Sequence, residues 1–154
     1  DQKNTGGEYC PRVFSGDLVP LEEIAAGASR KAIELLDPVM IKTQKAAIVF
    51  DPDVARALLG GVISAINGER VLQGASFLKD HLNKQFASSL LTITDDGIRP
   101  KSLASSPFDG EGVPTSKNIL VENGILKSFI YNTKAAKRAG VKSTGNASRS
   151  RVAT

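Results

Sequence analysis

"NILVENGILKSFIYN", residues 118–132, decides the fold. A type I′ hairpin turn needs positive φ at both central positions, and Asn123-Gly124 is the pair that tolerates this best. The flanks "NILVE" and "ILKSFIYN" then become antiparallel strands. A two-residue loop sets Glu122 opposite Ile125 and Val121 opposite Leu126. Ile119, Leu120, Val121, Leu126, Phe129 and Ile130 make both faces partly apolar, so the hairpin is expected to lie within a larger sheet.

Working outward, "TKAAKRAG" (133–140) reads as a short helix stopped by Gly140. Upstream, Leu91 and Ile93 alternate with Thr92 and Thr94 before Asp95-Asp96-Gly97, a strand running into a turn. A loop rich in Ser, Pro and Gly joins it to the hairpin. Nearer the start, Leu21, Ile24, Ala28, Ala32 and Leu35 recur at helical spacing. Pro20, Glu22 and Glu23 suit the first turn of that helix and Asp37-Pro38 its end. Ala46 to Phe50 is a short apolar run, expected to be a strand buried on both faces. Asp51-Pro52 supplies a cap and a first-turn proline for a second helix, whose expected buried stripe is Val54, Leu58, Leu59, Val62 and Ile66. Between residues 68 and 87, Phe77, Leu78, Leu82 and Phe86 suggest a short helical stretch. The expected class is α+β, an antiparallel sheet with packed helices.

The second helix carries Gly60 and Gly61 side by side, each costing about 1 kcal/mol relative to alanine. Either another backbone packs closely there, or the pair occupies positions that once did something else.

The chain has 154 residues, 41% of them hydrophobic and 23% charged, enough for a continuous core. No apolar run approaches the roughly 20 residues of a membrane helix, and the polar opening from Asp1 is no signal peptide. One Cys and one His exclude an internal disulfide and a structural zinc site. A reducing, cytoplasmic location follows as the expectation. Charge is uneven: residues 1–112 hold 12 basic and 15 acidic side chains, whereas residues 113–154 hold 8 basic and one acidic. Such a basic end marks either a surface for acidic partners or a solvated face.

The strand-to-helix connection "FDPDVA" lacks the glycine loop of a phosphate site, which excludes Rossmann and P-loop chemistry. His81 has no nucleophile at a recognisable spacing, and Cys10 has no activating partner. Asp109 and Glu111 in "FDGEGVPT" alternate with glycines and are candidates to hold a cation or a peptide amino group, or simply to build a turn. Lys134, Lys137 and Arg138 share a helix face. Aromatic residues make up 5% of the chain and do not interleave with this cluster, which disfavours nucleic acid.

"KTQKAAIVFDPDVARALL" (42–59), "GASFL" (74–78), "PFDGEGVPTSKNILVENGILKSFIYNTKAAKRAG" (107–140) and "STGNASR" (143–149), in that order, closely resemble the TldD/PmbA family, and within it the PmbA branch, also called TldE. The resemblance runs from about Leu21 to the C-terminus. Members are longer on both sides, so the chain is expected to be a middle segment of a longer protein and a fragment of the two-part TldD/PmbA fold. It is read as a single α+β segment over 1–154: loop at 1–20, helix–strand–helix at 21–100, then acidic-glycine loop, hairpin and basic end at 101–154. In the TldD branch, the helix after the buried strand bears a His-Glu-x-x-x-His zinc motif, completed by a cysteine further on. Laid on this sequence, that motif falls on Gly60, Gly61 and Ala65, whose side chains are hydrogen or methyl and cannot bind zinc.

The resemblance therefore implies a non-catalytic, pseudo-active chain with no metal of its own, paired with a TldD-like subunit that supplies zinc and a glutamate to activate its water. Implied substrates are peptides and unfolded segments, including leader peptides of modified peptide antibiotics and labile antitoxins. This chain would supply surface: a sheet edge for β-addition, with Asp109, Glu111, Lys134, Lys137, Arg138 and Asn146 as candidate peptide or partner contacts. The alternative is a regulatory binding module for DNA gyrase or nucleic acid, suggested by the family's other name, modulator of DNA gyrase, and by the basic end. A third reading is a homo-oligomeric scaffold. None of the three involves a membrane.

Overall fold

The structure, a computed structural model, describes residues 3–149. Asp1, which opens the polar N-terminal stretch, and Arg151 at the basic end lie outside the described residues. The chain forms two compact units, Asp1–Val49 with Lys101–Leu103, and Phe50–Pro100 with Ala104–Thr154.

In the first unit a 3-10 turn, Ser15–Asp17, precedes helix α1, Leu21–Glu34. Pro20 caps α1, and Glu22 and Glu23 sit in its first turn, where the helix dipole favours them. The segment before it lies along the helix: a Cβ on Gly6 would collide with the backbone of Ala28 and Ala32, and Gly27 is buried beneath the Glu8 side chain. Glu8 Oε2 reaches Lys31 Nζ at 3.0 Å, and Asn4 Nδ2 donates to the Leu35 carbonyl at 3.0 Å. The expected apolar stripe is only partly covered, with Ile24, Ala28 and Ala32 half-buried but Leu21 and Leu35 exposed.

The expected strand at Ala46 to Phe50 is absent, and Val49 is 98% exposed. A strand buried on both faces needs neighbours to satisfy its backbone, and no described strand pairs with this run.

In the second unit Asp51 Oδ1 accepts from the Asp53 N–H at 2.9 Å, and Pro52 begins α2, Pro52–Ile66. Asn67 then caps α3, Gly68–Leu72. Strands β1 (Ile93–Asp96), β2 (Lys117–Glu122) and β3 (Ile125–Leu126) form an antiparallel sheet in that order. The turn is as expected: Asn123 and Gly124 have φ of 49° and 78°, and Val121 pairs with Leu126 and Glu122 with Ile125. The second strand is shorter than expected. The Lys127 and Ser128 N–H groups both address the Leu120 carbonyl, at 2.8 and 3.4 Å, which ends the ladder and turns the chain away. It meets the α2–α3 junction instead, where Ile130 N–H donates to Ile66 O at 3.1 Å and Gly68 N–H to Ile130 O at 2.8 Å. Helix α4, Thr133–Ala139, follows and ends at Gly140 with φ 70°.

The core gathers Ile66, Leu78, Leu120, Val121, Leu126 and Phe129, with Ala65 beside them. This corrects the expected stripe on α2. Of its five residues only Ile66 is buried and Val62 half-buried, whereas Val54, Leu58 and Leu59 are 49%, 55% and 39% exposed. The hairpin reaches only the C-terminal end of α2, so periodicity identified the helix but not the length of it that is covered. In the 68–87 stretch Leu78 is buried and Phe86 half-buried, but Phe77 and Leu82 are exposed, because the chain beyond α3 runs in turns.

Two glycines on this axis should respond oppositely to alanine. A Cβ at Gly68 meets the Tyr131 ring and the Ile130 carbonyl, whereas one at Gly60 meets nothing within 4 Å. Gly68→Ala is expected to destabilise by about 1–3 kcal/mol through overpacking, and Gly60→Ala to stabilise by about 1 kcal/mol through helix propensity. Urea denaturation midpoints of the two variants check both signs.

Candidate functional site

The carboxylates of the acidic-glycine loop are consumed by backbone donors. Asp109 Oδ1 accepts from the N–H groups of Glu111 and Val113, each at 2.9 Å, and its Oδ2 from Ala147 at 2.9 Å. Glu111 Oε2 accepts from the Thr133 N–H at 2.8 Å, at the start of α4. The loop is thereby tied to α4 on one side and to residues 146–149 on the other. Gly110 N–H returns a bond to Ala147 O at 2.8 Å.

Desolvation pushes the Asp109 carboxyl up, but the N–H groups of Ala147, Glu111, Val113 and Gly112 outweigh it and hold the group below its usual 3.8.

Residues 143–149 form a strap across the sheet. Thr144 N–H donates to Tyr131 O at 3.0 Å, and Tyr131 N–H donates to Thr144 Oγ1 at 2.8 Å. Asn118 Nδ2 donates to Thr144 O at 3.2 Å and to Asp95 Oδ2 at 3.1 Å, and Asn146 Nδ2 donates to the same oxygen at 2.7 Å. Asp95 and Asn118 were not singled out in the sequence. Nothing in a lone Asp on β1 and a lone Asn on β2 announces that strand register places them together. Burial also lifts the Tyr131 phenol above its usual value.

Asp109, Glu111 and Asn146 therefore gather around the start of α4 and the strap. Lys134, Lys137 and Arg138 are exposed on α4, without a described ion pair. The positions aligned with the zinc motif do lie on a helix, as expected. They do not converge: Gly60 and Gly61 face open space, whereas Ala65 is buried in the core. Among the described residues no second backbone packs against the glycine pair, and no group of three His, Cys, Asp or Glu side chains is placed to hold a metal. His81 is half-buried, and its Nδ1 has no hydrogen-bond partner. Cys10 is a half-buried free thiol. No described helix is long and apolar enough to cross a membrane.

A family model described as the PmbA/TldA metallopeptidase C-terminal domain matches residues 43–154. Metalloprotease PmbA of Escherichia coli O157:H7 is 37% identical over 131 residues, 85% of this chain and 29% of that protein. The metalloprotease PmbA homolog of Haemophilus influenzae is 34% identical over 124 residues, 80% of this chain and 28% of that protein. Among solved structures, a Thermotoga maritima protein described as a modulator of a DNA gyrase matches with a TM-score of 0.80 at 37% identity, over 87% of this chain and 31% of that one. TldE from Thermococcus kodakarensis matches with a TM-score of 0.55 at 39% identity, over 58% of this chain and 20% of that one. The mixed helices and small antiparallel sheet are thus a shared architecture, and the chain spans under a third of the length of these relatives.

Because Asp109 is held as a carboxylate, its contribution to stability is present above pH 3.8 and is lost as pH falls through its lowered folded value. Asp109→Asn is expected to be less stable at neutral pH and to show a flatter loss on acidification below about pH 4, where both forms converge. Denaturation midpoints measured across that range check this.

Proposed function

We propose that this chain, which belongs to the PmbA/TldD metallopeptidase family, is part of a PmbA-like subunit that assists peptide hydrolysis without performing it. The observation that carries the reading is the residue content of α2 at the three aligned positions. Zinc needs nitrogen, sulfur or oxygen donors, and Gly60, Gly61 and Ala65 offer none, so these residues do not fit the metal. The TldD-like subunit is then the source of zinc chemistry, and this chain supplies surface for that partner or for an extended peptide. A cytoplasmic assembly acting on peptides and unfolded segments is part of the same reading. The exposed apolar residues Val54, Leu58 and Leu59 beside the glycine pair support it, since large apolar patches mark interaction surfaces.

The test is cleavage of an unfolded peptide by the full-length parent protein with zinc throughout, alone and mixed with the TldD-like subunit of the same organism. Cleavage in the mixture only is expected. Zinc-dependent cleavage by the parent alone would sink the reading, because its ligands would then lie elsewhere.

A second reading, a binding module for DNA gyrase or nucleic acid, draws on the exposed Lys134, Lys137 and Arg138 and on the description of the Thermotoga maritima relative. Phosphate contacts by this face would weaken steeply with salt. Under the assisting-subunit reading, DNA retention is expected to be weak and unaffected by Lys137→Ala, as a binding titration at two salt concentrations reads out.

A further inference from the structure

Between the start of α3, the start of α4 and the strap lies a cavity of about 160 Å³, far above the ~10–15 Å³ one water requires. Its walls include Asn67, Glu69, Asn132, Asn146, Ala147 and Ser148. Asn67 Oδ1 already accepts from the Glu69 and Arg70 N–H groups, and Asn132 Oδ1 from that of Ala135. Asn146 differs. Its amide nitrogen is fixed on Asp95, which settles the orientation of the amide. The opposite atom, Oδ1, is buried without a hydrogen-bond partner. An unmatched buried acceptor is costly and calls for a donor. Glu69, half-buried on the same wall, carries a carboxylate that no described cation pairs with. Ser148 adds a hydroxyl at the rim.

We infer that this cavity binds a primary ammonium group of a peptide, either its N-terminus or a lysine side chain. An ammonium brings three donors and one positive charge. The cavity offers three acceptors, Asn146 Oδ1, the Glu69 carboxylate and Ser148 Oγ, of which one is charged. The sequence pointed to Asp109 and Glu111 for such a group, but both are spent on backbone donors. The free acceptors lie on the next wall. That the ammonium comes from a peptide rests on the proposed function, whereas the chemistry of the cavity does not.

The test is equilibrium binding to the full-length parent alone, by calorimetry, so that it is independent of any cleavage in the mixed assembly. Four alanine–glycine pentapeptide amides serve as probes: one with a free N-terminus, its N-acetylated form, and acetylated forms with a central lysine or norleucine. The free-amine or the lysine peptide is expected to bind, and which one does so names the source. Glu69→Gln is expected to weaken that binding roughly tenfold without shifting the thermal midpoint, since the carboxylate has no partner to lose. Ser148→Trp, at the exposed rim, is expected to abolish it. Equal binding of the acetylated norleucine peptide, absence of binding by every probe, or indifference to both substitutions would overturn the assignment.

Discussion

The second unit depends on one backbone exchange, in which Ile130 donates to Ile66 and accepts from Gly68. It joins the end of α2 to the chain leaving the hairpin, and it demands that the two backbones approach without a side chain between them. Gly68 meets that demand, with the Tyr131 ring where a Cβ would lie. With α2 pinned there, Ala65 and Ile66 close the core over Leu120, Val121, Leu126 and Phe129. The strap then adds polar bonds around the same point, through Tyr131, Thr144, Asn118 and Asp95.

That anchoring leaves α2 with two characters. Its last turn is core, whereas its earlier turns project apolar side chains and a bare glycine pair into open space. A helix apolar around most of its circumference is ordinarily enclosed, and glycines without a packing role weaken it. Both features make sense for a surface completed by other polypeptide. The acidic-glycine loop, in contrast, is complete in itself, since each of its carboxylates has backbone donors.

Much of the local structure was legible because it rests on neighbours in sequence. Asn123-Gly124 set the hairpin and its register, Asp51-Pro52 started α2, Gly140 ended α4, and the spacing from Leu21 gave α1. The run at Ala46 to Phe50 failed because a strand is defined by partners that its own residues do not specify. The α2 stripe failed in extent for a related reason, since periodicity reports which face is apolar but not how far along the axis something covers it. The loop carboxylates were legible as residues of interest but not as occupied acceptors. Asp95, Asn118 and Glu69 left no sequence signal.

The sequence by itself determined the α+β class, the turn chemistry, the caps and the family, together with the absence of ligand atoms at Gly60, Gly61 and Ala65. These are consequences of single residues or short spacings, where steric and hydrogen-bonding rules act locally. Only the tertiary structure decided which polar groups are satisfied and which are left over. It spent Asp109 and Glu111 on the backbone, gathered Asp95, Asn118 and Asn146 from three separate segments, and left Asn146 Oδ1 beside Glu69 with nothing to accept from. Satisfaction is a property of neighbours in space, and spatial neighbours up to 51 positions apart are fixed by packing rather than by spacing.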